Sequence, residues 1–150
     1  MTRVTRRKAL QLGSGGLLGA FVGLSGCQGI PSLQGNNRQN VSIGQIEINN
    51  KDRSPHEFHV LILEHEKPVF WRSYGADGGI YEDGQLQEVG GTVWNNPVKE
   101  PGQYVIYSRV DDRSNWTSVN LTEFGRSCFR LIIQLDTQGV LEIFHGGCDE

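Results

Sequence analysis

Histidine and cysteine side chains are the residues of this sequence best suited to binding a metal ion. They are His56, His59, His65, His145, Cys27, Cys128 and Cys148. A type-1 copper site uses two histidines, one cysteine and usually an axial methionine, but the only methionine is Met1. His56 and His59 point to opposite faces of a regular strand because their separation is odd. His145 is close to Cys148, for which a disulfide is the better use. We predict no metal site and no cofactor, with a metal-binding or redox protein as the alternative.

Catalytic signatures are absent from the sequence. It contains neither Gly-x-Ser-x-Gly, which marks a serine nucleophile, nor His-Glu-x-x-His, which marks a zinc hydrolase. The acidic residues of the predicted loops lack the spacing of an EF-hand and are interpreted as solvated side chains. These residues are Asp77, Glu82, Asp83, Asp111 and Asp112. We predict that the protein is not an enzyme and has no catalytic residue.

Aromatic residues could form the floor of a sugar-binding or peptide-binding surface, because tyrosine and tryptophan combine a stacking ring with a polar group. The candidates are Phe70, Trp71, Tyr74, Tyr81, Trp94, Tyr107 and Trp116. Most lie beside aliphatic residues in predicted strands, so core packing is their predicted use. Trp116, between Asn115 and Thr117, is the best candidate for exposure. A sugar-binding or hydrolytic surface protein is the second alternative.

Three sequons for N-glycosylation occur, and none has proline at its middle position. They begin at Asn40, Asn115 and Asn120. Asn40 lies in a predicted linker and Asn115 in a predicted turn, which are accessible places. Asn120 lies in a predicted strand and is the weaker candidate. Glycosylation at these positions is a hypothesis.

The first 27 residues have the features of an export signal. Four basic residues precede an apolar run over 9–24, and no acidic residue occurs before Glu47. This order is typical of a secretory signal. The pair Arg6-Arg7 resembles a twin-arginine export signal. The segment Leu24-Ser25-Gly26-Cys27 resembles a lipobox, which implies that Cys27 receives a lipid and becomes the mature N-terminus.

The signal divides the chain into three parts. We predict a signal peptide over 1–26, a lipidated N-terminus with a flexible linker over 27–40, and a β-sandwich domain over 41–150. The alternatives are an uncleaved signal anchor and a dimerising membrane helix, the latter because Gly15, Gly19 and Gly23 have GxxxG spacing.

The mature chain is acidic. The whole sequence has 14 basic and 17 acidic residues, and removal of the four basic residues in 1–26 leaves 10 against 17, a formal charge of −7. Nucleic-acid binding requires a basic patch, so we predict that nucleic acid is not a partner.

After residue 40 the sequence consists of short runs typical of β-strands, separated by turn residues, and this pattern favours an all-β sandwich. A long exposed loop is predicted over Gly75–Gln85, and a bulge at Gly44. The predicted strands are 41–48, 58–63, 69–74, 86–94, 104–110, 116–121, 128–135 and 140–145. The predicted core is Ile46, Ile48, Phe58, Val60, Ile62, Val69, Trp71, Tyr104, Ile106, Leu131, Ile133, Leu135, Leu141 and Ile143.

The last two predicted strands form a hairpin whose register follows from its turn. Asp136–Gly139 fits a type I turn with Gly139 in the left-handed conformation. Paired residue numbers then sum to 276, which places Cys128 opposite Cys148. An exported protein favours disulfides, so we predict a disulfide between these two cysteines.

Two stretches carry a resemblance to known domains, Ile46–Trp71 and Glu100–Val110, with Pro-Gly-x-Tyr at Pro101–Tyr104. They resemble strands of immunoglobulin-like and cupredoxin-like β-sandwiches. Together with the signal, the whole chain resembles small twin-arginine-exported lipoproteins of halophilic archaea. The resemblance implies an antiparallel β-sandwich outside the cell and no particular activity. The cysteine pair departs from antibody-type domains, because it lies within one hairpin rather than between two sheets.

The predicted function follows from this location. We expect a non-enzymatic module at the outer face of the cytoplasmic membrane, held there by the lipid on Cys27. It would bind or scaffold another envelope component, either a protein or a glycan. The alternatives are a cupredoxin-like metal-binding or redox protein and a surface sugar-binding or hydrolytic protein.

Overall fold

The computed structural model describes residues 39–149. The predicted signal peptide, Arg6, Arg7, Cys27 and most of the predicted linker lie outside these residues. No helix within 39–149 is long and apolar enough to cross a membrane. The strands are β1 (Ser42–Asn50), β2 (His56–Glu64), β3 (Lys67–Ala76), β4 (Ile80–Glu82), β5 (Gln85–Glu88), β6 (Gly90–Asn95), β7 (Tyr104–Val110), β8 (Thr117–Asn120), β9 (Cys128–Leu135) and β10 (Leu141–Gly147). A 3-10 helix covers Leu121–Glu123.

The strands form two main sheets and a small hairpin. The first sheet has the order β10-β9-β1-β6, the second has the order β3-β2-β7-β8, and β4 pairs with β5. The predicted all-β sandwich is confirmed. One strand pair, β1 with β9, is parallel, and the other six pairs among residues 39–149 are antiparallel. Parallel neighbours cannot be joined by a tight turn, and here the whole second sheet lies between β1 and β9 in the sequence.

The core lies between the two main sheets. Alternate residues of each central strand are buried, as expected when one face of a sheet packs against a second sheet. The buried apolar residues are Val41, Ile43, Ile46, Ile48, Phe58, Val60, Ile62, Ala76, Tyr104, Ile106, Val110, Leu121, Phe129, Leu131, Ile133 and Leu135. Leu141 and Ile143 are only partly buried because they belong to the edge strand β10.

The predicted core positions of Val69 and Trp71 are wrong. Val69 is 40% exposed and Trp71 is 68% exposed. The pairing of β2 with β3 shifts by one residue between Ile62 and Leu63, so Ile62 faces Phe70 and Leu61 faces Trp71. Directly opposite residues share a face, so Phe70 joins the core side and Trp71 is placed outside.

The predicted loop over Gly75–Gln85 is partly wrong, because β3 continues to Ala76 and β4 and β5 form a hairpin. Asp83 and Gly84, at its tip, have φ values of 49° and 80°. A two-residue turn with both φ values positive favours Asp-Gly. The β2–β3 turn uses the same left-handed conformations without glycine, at His65 and Glu66, with φ values of 47° and 64°.

The predicted register of the last hairpin is confirmed. Leu135 pairs with Leu141 and Ile133 with Ile143, and Gly139 is left-handed with a φ of 79°. The Cα atoms of Cys128 and Cys148 are 5.5 Å apart, and the two cysteines form a disulfide.

Gly44 lies at the bulge predicted for β1, where the pairing with β9 shifts between Ile43 and Gln45. A Cβ atom at Gly44 would be 3.0 Å from the sulfur of Cys148. The missing side chain therefore makes room for the disulfide against β1.

The Pro-Gly-x-Tyr segment fixes the start of β7. The buried Tyr104 hydroxyl donates a hydrogen bond to the carbonyl oxygen of Glu100, similar to a tyrosine corner. Gly102 leaves room for the Tyr104 ring, and its backbone exchanges hydrogen bonds of 2.8 and 3.0 Å with Val41. Burial, together with the nearby carboxylates of Glu64 and Glu100, raises the pKa of Tyr104.

Candidate binding face

The outer face of the second sheet carries a row of side chains that crosses all four strands. Trp71 of β3 is opposite Leu61 of β2. Leu61 is also opposite Tyr107 of β7, which is opposite Ser118 of β8. The rows on either side are Ser73–His59–Arg109 and Leu63–Val105–Asn120.

We call the apolar part of this surface the aromatic face. It consists of Leu61, Leu63, Val69, Trp71, Val105, Tyr107 and Trp116. Trp71, Val69 and Trp116 are exposed, at 68%, 40% and 38%. The other members are partly buried and form the floor between them. Large aromatic rings without a covering layer on a sheet face are typical of a binding surface.

The central strand of this sheet explains why the face is apolar. Phe58, Val60 and Ile62 of β2 enter the core, while Leu61 and Leu63 point the other way. A strand that is apolar on both faces normally has protein on both sides. Among residues 39–149, the outer side of β2 is flanked only by the neighbouring rows of the same sheet.

Polar groups border the aromatic face on the side nearest Trp116. The Nδ1 atom of His59 and the hydroxyl of Ser73 share a hydrogen bond of 2.7 Å. The Nε2 atom of His59 is 3.8 Å from a carboxylate oxygen of Glu57. The Arg109 guanidinium lies 5.0 Å from the centre of the Trp116 ring, a distance at which a cation is attracted to the ring.

The outer face of the first sheet has a different character, because its polar side chains bond to one another. Arg130 Nε donates to Gln45 Oε1 at 3.0 Å, and Gln45 Nε2 donates to Asn95 Oδ1 at 3.3 Å. Asn49 Nδ2 donates to Glu47 Oε1 at 2.9 Å. The first two bonds link neighbouring strands across the sheet, whereas the bond from Asn49 to Glu47 lies within β1.

A shallow pocket of about 260 Å³ lies on this first outer face. Arg130, Ile132 and Phe144 line it, and Gly146 pairs with Arg130 across the strands. The missing side chain at Gly146 opens the pocket. Ile132 and Phe144, which pair with each other, are exposed at 36% and 44%, and Val93 at 46%. This face therefore also has apolar groups, with Glu47 between Ile132 and Val93.

A histidine between two carboxylates lies at the end of the domain opposite the disulfide. The Nδ1 atom of His56 is 2.8 Å from Asp111 Oδ2, and its Nε2 atom is 3.6 Å from Asp52 Oδ2. Burial opposes ionisation of Asp111, but hydrogen bonds from the Glu57 amide and His56 outweigh it and hold the pKa of Asp111 below its usual value. The Ser54 amide is the main cause of the lowered pKa of Asp52, and His56 adds to it. The cluster ties the β1–β2 connection to the end of β7.

The structure does not bring the candidate metal ligands together. Cys128 and Cys148 are bonded to each other, and His145 stacks on Phe124 with ring centres 3.9 Å apart. His56 is bound to Asp111, and His65 lies in the β2–β3 turn. Within residues 39–149, no three histidine, cysteine or acidic side chains are grouped as metal ligands.

The sequon asparagines differ in their surroundings. Asn40 and Asn115 are exposed. Asn120 is partly buried, and its side chain caps the 3-10 helix by accepting a 3.2 Å hydrogen bond from the Thr122 amide. A glycan on Asn120 would compete with this cap, whereas the other two positions are open. Glycosylation stays a prediction.

The aromatic residues divide into two groups. Phe70 and Tyr74 pack on Trp94, with ring centres 5.4 and 6.4 Å away, and the Tyr81 hydroxyl donates to the Lys51 carbonyl at 2.6 Å. These residues fulfil the predicted packing role. The other three, Trp71, Tyr107 and Trp116, lie on the aromatic face. Trp116 is exposed as predicted, but Trp71 is more exposed, and the sequence pattern missed it because of the register shift in β3.

No family model, no curated protein and no solved structure matches this chain. The geometry of residues 39–149 is therefore the basis for assigning a function.

Proposed function

We propose that this protein is a non-enzymatic binding module, anchored outside the cytoplasmic membrane through a lipid on Cys27. Its aromatic face contacts another component of the cell envelope. The observation that carries the proposal is the row Trp71–Leu61–Tyr107, in which the exposed Trp71 ring lies beside the partly buried Leu61 and Tyr107 on a face that the core does not need.

The energy available at this face supports the proposal. A tryptophan side chain buries about 150–250 Å² when it is fully covered. Trp71 is 68% exposed, so a ligand that covers it removes on the order of 100 Å² from water. At about 25 cal/mol per Å², this contributes roughly 2.5 kcal/mol to binding. Tyr107 and Trp116 add smaller areas, because less of their surface is exposed.

The proposed lipid anchor leaves the aromatic face accessible to a ligand. The chain enters the domain at the disulfide end, where Ser42 pairs with Cys128. The predicted linker from residue 28 to residue 40 reaches at most about 45 Å when fully extended. The aromatic face lies along the side of the second sheet, so an anchored domain would present it to neighbouring molecules.

Binding of the full-length protein to envelope fractions tests the face. Envelopes from cells that lack the protein are mixed with the purified lipidated chain, and the bound fraction is measured by sedimentation. Trp71→Ala should weaken binding at least about tenfold, because each 1.4 kcal/mol of lost binding energy changes affinity by this factor and the covered Trp71 ring contributes more than this. Phe144→Ala is the matched control, because Phe144 is an exposed aromatic residue on the other outer face. Equal binding by wild type and Trp71→Ala would contradict the assignment.

The anchor has its own test. Cys27→Ser should move the protein from the membrane fraction to the soluble fraction, and the mature wild-type protein should begin at Cys27 with the added mass of a lipid. An intact signal segment in the mature protein, or unchanged membrane association of Cys27→Ser, would overturn the anchoring proposal without affecting the face.

A further inference from the structure

We infer that the component bound by the aromatic face is a neutral glycan, a chain of pyranose sugars without charged substituents. This inference rests on the proposed function, because it names the chemical class of ligand for the same face. A pyranose ring has an apolar C–H face that packs on aromatic rings and a rim of hydroxyl groups that needs hydrogen-bond donors and acceptors. The aromatic face and its border offer both.

The spacing of the rings suits a chain of sugars. Trp71 and Tyr107 lie in one row on strands separated by β2. Neighbouring strands are about 4.8 Å apart, so the two positions are about 10 Å apart. Leu61 fills the space between them with an apolar floor. Each ring can therefore contact a different sugar of one extended chain.

The polar groups at the border match sugar hydroxyls. The hydroxyls of Ser73 and Ser118 both donate and accept hydrogen bonds, and the His59 ring adds two nitrogens at the same border. Ser73 and Ser118 are exposed, whereas His59 is partly buried. Ser118 stands at the Tyr107 end of the row, and Ser73 lies in the next row beside Trp71. Both ends of the row thus have a hydroxyl within reach of a bound sugar.

The size of the face argues against a protein partner or a second copy of this chain. Four strands span about 19 Å, and three rows of alternate residues span about 20 Å, so the face covers about 400 Å². A stable protein interface buries about 800 Å² on each partner. The face is therefore about half the size that such a partner needs, whereas a ribbon of a few sugars fits on it.

The charges favour a neutral ligand. The ionised side chains next to the face include Arg109, Glu57 and Glu123, and the Glu123 carboxylate accepts a hydrogen bond from Asn120. One of these side chains is positive and two are negative. Arg109 is drawn to Trp116, and the mature chain carries a formal charge of −7. A polyanionic glycan would be repelled by this net charge, and the described part of the chain places no cluster of lysine and arginine on this face to offset the repulsion.

The test uses full-length lipidated protein and envelopes from cells that lack it, treated in one of two ways. Periodate cleaves vicinal diols of sugars, and exhaustive protease digestion removes proteins. Periodate should reduce the binding of wild type about tenfold, and protease should leave it within about twofold. The polysaccharide that survives protease digestion should compete with intact envelopes. Trp71→Ala should bind both intact and protease-digested envelopes weakly. Trp71→Phe should restore most of the binding because it restores a stacking ring.

The opposite pattern would overturn the inference. Loss of binding after protease, with no effect of periodate, identifies a protein partner. Binding that survives both treatments and is reproduced by vesicles of neutral phospholipid identifies a lipid surface. Both results leave the proposed function intact provided that Trp71→Ala still weakens binding. If Trp71→Ala binds untreated envelopes as wild type does, the proposed function itself fails.

Discussion

The two outer faces of the sandwich have the same strand count and different chemistry. On the first sheet, Arg130, Gln45 and Asn95 are joined by hydrogen bonds across strands, and the disulfide covers Gly44 at one end. On the second sheet, Trp71 and Tyr107 flank Leu61, and no other part of the described residues 39–149 covers them. A two-layer sandwich requires one apolar face per sheet. The first sheet meets this requirement with an outer face that stabilises the fold, whereas the second has an apolar face beyond what folding requires.

This difference predicts a division of effects. Changes on the first sheet should lower the free energy of unfolding and leave binding intact. Changes on the aromatic face should weaken binding and leave the free energy of unfolding nearly unchanged.

The largest effect on stability is expected from the disulfide. Replacing Cys128 and Cys148 with serine should lower the free energy of unfolding by about 3 kcal/mol, because the reduced chain gains conformational freedom when unfolded. Denaturant titration measures this change, and reduction of the wild type is the control. The variant should still bind envelopes at temperatures where it is folded. Loss of binding by the folded variant would show that the two faces are not independent.

A pair of tryptophans gives the next contrast. Trp94→Ala should lower the free energy of unfolding by roughly 2 kcal/mol, because it removes a ring that packs on Phe70 and Tyr74. This is less than the loss expected for a fully buried aromatic residue. Trp71→Ala should change stability by less than about 0.5 kcal/mol, because Trp71 is a surface residue. Thermal and denaturant unfolding measure both. A larger cost for Trp71→Ala than for Trp94→Ala would assign a structural role to the aromatic face.

The His56 cluster should give a smaller, pH-dependent effect. Asp111→Asn removes the charge that binds His56 and the Glu57 amide, and because the Asp111 side chain is 44% exposed, the cost should be only about 1 kcal/mol. A lowered pKa stabilises the fold above the unfolded pKa of about 3.8, and this contribution is lost as the pH falls through the folded value.

The difference in the free energy of unfolding between wild type and Asp111→Asn should therefore have its full size near pH 6 and should shrink below about pH 3.8. Equilibrium unfolding at several pH values measures it. A difference that grows on acidification would show that the carboxylate is not stabilised by its hydrogen bonds.

The smallest effect is expected from the hydrogen-bonded network of the first sheet. Gln45→Ala removes two exposed side-chain hydrogen bonds, to Arg130 and Asn95, and should cost about 0.5 kcal/mol, at the low end for hydrogen bonds. Envelope binding should be unchanged. A tenfold loss of binding in this variant would show that the binding site lies on the first sheet.

The sequence allowed the local parts of the fold to be predicted. The turn at Asp136–Gly139 fixed the β9–β10 register. The predicted core included Leu131, Ile133 and Leu135 of β9, all of which are buried, but not the buried Phe129. The phase of β3 could not be derived, because one register shift moves Val69 and Trp71 to the opposite face. The Asp83-Gly84 pair is a hairpin signal that the predicted loop over Gly75–Gln85 overlooked.

Only part of the candidate site could be predicted from the sequence. Leu61 and Leu63 make β2 apolar on both sides, which is typical of a central strand, and β2 is an inner strand of its sheet. The alignment of Trp71 with Tyr107 depends on which strands flank β2, and strand order is a long-range property that no local pattern encodes. The parallel pairing of β1 with β9 is of the same kind.

Oxidative footprinting of the full-length protein tests the central claim most directly, because it compares both faces in one sample. Side chains are labelled by hydroxyl radicals with and without envelope preparations, and the modified residues are quantified by mass spectrometry. If the aromatic face is the binding site, envelopes should reduce the labelling of Trp71 and Tyr107 and should not change the labelling of Phe144 and Ile132. Protection of Phe144 and Ile132 with Trp71 still fully labelled would contradict it.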